Sequence, residues 1–143
     1  MRLHVFGVPA TKGSTRSFPH RVTGKIVTLP MSKSLREWER AIAYEARMSG
    51  ATFEGPVKVA MTFDLPMPKA EQRVRWHHVR PDLDKLVRAV LDGLQMGGAF
   101  ADDGQVAWLT AQKRTSRQAG VIVEVRDVDA LPDWDEVDDA LRS

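Results

Sequence analysis

The chain has 143 residues, 43% hydrophobic and 28% charged, a balance that allows one compact core. It contains no cysteine, which excludes disulfides, thiolate zinc sites and thiol nucleophiles and leaves oxygen or imidazole to hold any metal. Net charge is only +2, yet residues 1–80 carry 14 Lys and Arg against 6 Asp and Glu, while residues 81–143 carry 7 against 13. The first half suits a polyanion and the second suits cations, unless folding mixes them into an ordinary surface.

Arg2 to Val8 alternates as a strand, broken by Pro9 and Gly13. Its apolar stretch is too short for a signal-peptide core or a membrane span, so no membrane association and a cytoplasmic location are expected. Arg16 to Arg21 and Lys25 to Leu29 then read as a hairpin around Thr23-Gly24, a basic flap displaying Lys12, Arg16, His20, Arg21 and Lys25.

From Ser34, the apolar residues Leu35, Trp38, Ile42 and Ala46 recur at helical spacing; Ser34 and Glu37 fit a capping box, and the helix runs to about Met48. This spacing puts Trp38 in the core rather than on a base-stacking platform. Val57 to Leu65 is a strand, which Pro66 and Pro68 end. The loop 66–80 carries Arg73, Arg75, Arg80 and the pair His77-His78, which could help hold a polyanion but read first as solvated loop residues.

A second helix follows Pro81, with Leu83, Leu86, Val87, Val90, Leu91 and Leu94 forming an apolar stripe that Gly97-Gly98 stops. Gln105 to Arg114 and Val121 to Val125 are expected to form a closing pair of strands. The chain thus divides into one domain over 1–126 and an acidic tail over 127–143, with a weak helix around Trp134 to Leu141. The fold class is α+β, a small mixed sheet of about four to six strands with two main helices packed on it.

The second helix opens with Arg80-Pro81-Asp82-Leu83-Asp84-Lys85-Leu86-Val87-Arg88. Side chains two apart stand about 200° around a helix, so Asp82 and Asp84 converge on one ion only if Asp82 keeps a non-helical cap conformation. Asp84, Arg88 and Asp92, spaced by four, share one side of the helix. Asp102-Asp103-Gly104-Gln105-Val106 puts two further acids at the mouth of the next strand, within reach if that strand lies beside the helix. Three or four carboxylates without thiols are hard donors suited to magnesium, with manganese as a substitute, and phosphodiester cleavage is the obvious use. The alternative is structural: Asp82 as an N-cap, Asp84 facing the helix dipole, Asp102-Asp103-Gly104 as a turn, and Arg88 with Asp92 as a surface pair.

The run Arg80-Pro81-Asp82-Leu83-Asp84, a leucine-rich helix, and then Asp102-Asp103-Gly104-Gln105-Val106 resembles the RusA family of Holliday junction resolvases, with Asp103 in register 19 positions after Asp84. Val8-Pro9 and Lys12-Gly13 resemble that family's opening turn, so the likeness spans about residues 1–125. It implies that Asp82, Asp84 and Asp103 are magnesium ligands, Asp102 a supporting acid, and the active unit a homodimer that nicks a four-way junction symmetrically; small resolvases of this kind are often phage products. A two-fold junction needs two symmetric cuts, and one compact domain offers one site. Two positions depart from the pattern: Arg88 stands where the family has lysine, and Lys85 where it has asparagine. Arginine can fork onto a phosphate but cannot readily deliver a proton, so an electrostatic role is expected of Arg88.

The expected grip on branched DNA is Lys12, Arg16, Arg21 and Lys25 from the flap, Arg73 and Arg75 from the loop, and Lys85 beside the acids. Phe18 in the flap is a wedge candidate, although a buried hairpin aromatic is commoner. A rival is a non-catalytic DNA-binding dimer whose carboxylates serve only folding. A nucleotide-sugar transferase, where Asp-x-Asp also holds a metal, normally needs a longer chain than this one.

Overall fold

The computed structural model describes residues 1–11, 17–19, 26–28 and 33–128. Its elements are β1 (Arg2–Phe6), β2 (Ser17–Pro19), β3 (Ile26–Thr28), α1 (Lys33–Ser49), β4 (Val57–Pro66), α2 (Leu83–Met96), a short 3-10 turn (Asp103–Gln105), β5 (Val106–Ser116) and β6 (Gly120–Asp127). They form an α+β domain: a four-stranded mixed sheet in the order β1-β6-β4-β5 with two helices, plus a separate β2-β3 ribbon.

Alternation sorts the sheet into two faces. Leu3 and Val5, Val57, Val59, Met61, Phe63 and Leu65, and Val121, Val123 and Val125 are all buried. Against them lie Leu35, Trp38, Ile42 and Ala46 of α1 and Leu86, Val87, Val90 and Leu94 of α2, in one continuous core. Trp38 is thus a core residue, 5% exposed. The two helices approach closely because α2 turns small residues toward α1. A Cβ at Gly93 would stand 2.8 Å from the Ile42 Cβ, and one at Gly97 2.5 Å from the Ala43 carbonyl oxygen.

Two expectations about elements are corrected. Helix α1 begins at Lys33, so Ser34 lies inside the first turn rather than capping it. And β5 and β6 are not partners: β4 lies between them, parallel to β5 and antiparallel to β6. Residues 117–119 carry the chain across the end of β4, a step of about 10 Å at the usual strand spacing, which three linking residues can bridge. The β2-β3 pairing, Ser17 with Thr28 and Pro19 with Ile26, agrees with the expected hairpin. Its turn, its side chains and the tail beyond Val128 lie outside the described residues. No described helix is long and apolar enough to cross a membrane.

Candidate metal and DNA site

Helix α2 starts at Asp82, whose φ of −70° and ψ of 137° keep it in the extended cap conformation. The backbone does its part, with the Leu86 N–H donating to the Asp82 carbonyl at 3.2 Å. The side chain makes no capping hydrogen bond. An aspartate placed for capping ordinarily satisfies an orphan N–H of the first turn; here the carboxylate, roughly half exposed, meets the Lys85 ammonium at 3.6 Å instead. Asp84 is exposed one residue into the helix, and Arg88 is exposed one turn further on. This end of α2 therefore presents two carboxylates and two cations to solvent.

The second acidic pair is built differently. Asp102 accepts a hydrogen bond from the Gly104 N–H at 2.8 Å and closes a capping box with Gln105. That bond with the Gly104 N–H holds the Asp102 carboxyl below its usual range. Gln105 locks the turn in place. Its Oε1 accepts from the N–H groups of Ala101 (2.9 Å) and Asp102 (3.3 Å), and its Nε2 donates to the carbonyls of Phe53 (2.9 Å) and Gly55 (3.0 Å). The Asp103 N–H donates to Gln95 Oε1 at 3.0 Å, which ties the turn to the last stretch of α2.

The two pairs consequently sit toward opposite ends of one helix. Gln95 lies eleven residues beyond Asp84, about 16 Å along the axis at 1.5 Å per residue. Among the described residues no three His, Asp or Glu side chains gather closely enough to hold a metal ion. The reason is topological. Strands β4 and β5 are parallel and α2 connects them, so the helix must run back against both, and β5 begins where the helix ends. The expectation that the strand mouth would meet the helix start is corrected on this ground.

Of the expected DNA contacts, Lys12, Arg16, Arg21 and Lys25 lie outside the described residues. Arg73 is exposed in the loop before α2; Arg75 is exposed and paired with Glu71 at 2.9 Å. Lys85 leans toward Asp82, and Asp92 sits half-buried on α2. His78 is exposed as expected, but His77 is half-buried, with its Nδ1 buried without a hydrogen-bond partner. Burial, then the nearby Lys113 charge, hold the His77 pKa below 6.5. Sequence reasoning missed both Gln105 and Lys113. The glutamine three residues after Asp102 was a legible capping-box signal; the lysine, inside a strand pattern, gave none.

This α+β domain presents exposed carboxylates beside both ends of α2, hard oxygen donors of a kind that suits hard cations better than soft ones. A family model described as "Endodeoxyribonuclease RusA" matches residues 9–126, and the chain belongs to that family. It is also similar to the "Crossover junction endodeoxyribonuclease rusA" of Lactococcus phage r1t, at 29% identity over 73 residues. That alignment covers 51% of this chain and 56% of the relative, so the chain spans little more than half of the curated protein it matches.

Proposed function

We propose that this chain is a magnesium-dependent endodeoxyribonuclease that resolves four-way DNA junctions as a homodimer, by paired symmetric nicks. The observation that carries the reading is Asp82, a residue at a cap position whose carboxylate does no capping and stands exposed next to Asp84. A cap-position acid without a capping bond and an exposed acid beside it, among the described residues of a chain of an endodeoxyribonuclease family, favour catalysis over a purely structural role.

Asp82, Asp84 and Asp103 are the ligands on this reading, with Asp102 holding Asp103 in place. One chain does not bring the three together, and a second copy does so naturally. A two-fold axis across the middle of α2 and β5 reverses their direction and carries the partner's acidic turn toward the start of α2. The uncovered stretch of β5 exposes Trp108 and Leu109 there, at the edge of the sheet. A divalent ion held by these acids would supply water activation and charge neutralisation at the scissile phosphate. The chain's own groups supply the rest: Arg88 and Lys85 attract and orient the phosphate, and Lys12, Arg16, Arg21, Lys25, Arg73 and Arg75 hold the arms. On this reading the nuclease domain is residues 1–126 and the acidic segment is 127–143, of which Asp127 still ends β6.

The test is incubation of the purified chain with a labelled synthetic junction and magnesium, beside Asp84→Asn. Symmetric nicks from the wild type alone are expected. Tight binding with no cleavage in magnesium or manganese would instead establish the non-catalytic dimer.

A further inference from the structure

Lys113 lies on β5 where the strand passes the loop that enters α2. Its ammonium donates to the carbonyl oxygens of Val79 at 2.5 Å and Pro81 at 2.6 Å; the second carbonyl belongs to the peptide bond that begins Asp82. The backbone reinforces this seam. The His77 N–H donates to the Lys113 carbonyl at 3.1 Å, the Thr115 N–H to the Arg75 carbonyl at 2.8 Å, and the Arg75 N–H to Thr115 Oγ1 at 3.2 Å. Residues 75–81 are thus stitched along β5, and Lys113 provides the two tie points nearest the acids.

A surface lysine ordinarily keeps its charge in water on a mobile stem. Lys113 is half-buried instead, with its donors directed at two backbone carbonyls. Restraint from the backbone matters here because Asp82 has none of its own: its carboxylate makes no capping bond, and its contact with Lys85 is a long, exposed pair of little strength. A displacement of about 1 Å in a reactive group can cost about 100-fold in rate.

We propose that Lys113 is a positioning residue for the Asp82–Asp84 pair, fixing through the Val79 and Pro81 carbonyls the direction in which the two carboxylates leave the start of α2. The inference rests on reading those aspartates as the reactive acids. Lys113 itself touches no reacting atom.

The test compares wild type with Lys113→Met, which keeps the stem and removes the donors, and Lys113→Arg, whose guanidinium can reach two carbonyls. Amide exchange is read at residues 82–86, Mn2+ binding by calorimetry with junction DNA present, and kcat and KM on a labelled junction. Lys113→Met should speed exchange at 82–86 while leaving α1 unchanged, weaken Mn2+ binding about 10-fold, and lower kcat about 10- to 100-fold with KM little altered, the range for a group that orients a metal ligand. Lys113→Arg should recover most of each loss.

A folded Lys113→Met variant with wild-type exchange, Mn2+ affinity and kcat overturns the proposal, as does a change confined to KM, which marks a phosphate contact. Lys113→Gln, keeping a neutral donor, makes the same comparison if the methionine variant does not fold. A wild type that binds no Mn2+ sinks the reading of the acids and this inference together; a wild type that binds, matched by the variant, sinks only the role of Lys113.

Discussion

The two ends of α2 carry the same chemistry in different employment. At its C-terminal end, Asp102 is bound to a backbone N–H, Gln105 fills four backbone hydrogen bonds, and Gly93 and Gly97 let α1 come close. At its N-terminal end, among the described residues, Asp82 makes no capping hydrogen bond and Asp84 stands exposed, while the backbone that leads into them is held from behind by Lys113. An acid that the fold uses and an acid that the fold leaves out look identical in sequence; only their hydrogen bonds separate them.

The largest effect expected follows from that contrast. Asp84→Asn, and likewise Asp82→Asn, should lower junction cleavage by more than about 100-fold, beyond the range seen for groups that merely support a metal ligand. Thermal unfolding should hardly shift, because no folding bond is lost. A large fall in Tm would erase the contrast between the two ends.

Mixing sharpens it. If each site combines the first acidic pair of one copy with the second pair of the other, then Asp84→Asn and Asp103→Asn, each inactive alone, should regain nicking when refolded together, since the mixed dimer has one intact site. Absence of recovery in a dimer shown to exchange subunits would place each site within one chain.

Next comes Gly97→Val, which forces a side chain into the Ala43 backbone and should destabilise by about 1–3 kcal/mol, measured by urea unfolding. Asp102→Ala should lower Tm by less, and lower activity through Asp103. The smallest effect concerns His77. Its folded pKa lies below the unfolded value of 6.5, so the unfolded state binds more protons between the two, and stability should fall as pH drops below 6.5. His77→Gln should flatten that part of the Tm–pH curve.

What could be read from the residues, and what could not, divides by range. The helices and strands came from local periodicity, as in Leu86, Val87, Val90 and Leu94 or Val57, Val59 and Met61, and the fold class and family motif were legible with them. Strand order was not, because nothing near Val121 says that it pairs with Phe63 rather than with β5. The error carried into the site: without the parallel β4–β5 pair, nothing placed Asp103 at the far end of α2. Lys113 was invisible for a related reason, since its partners lie 34 and 32 residues away and are carbonyls that no sequence pattern records.

The parallel pairing of β4 with β5 joins residues about fifty positions apart, Val57 with Val106 and Lys58 with Trp108. Such long closures are entropically late and slow to form. Lys113 can reach the start of α2 only after β5 has docked, so a growing or half-folded chain displays its acids before they are aimed. On the reading proposed above, cleavage would be withheld until the sheet is complete.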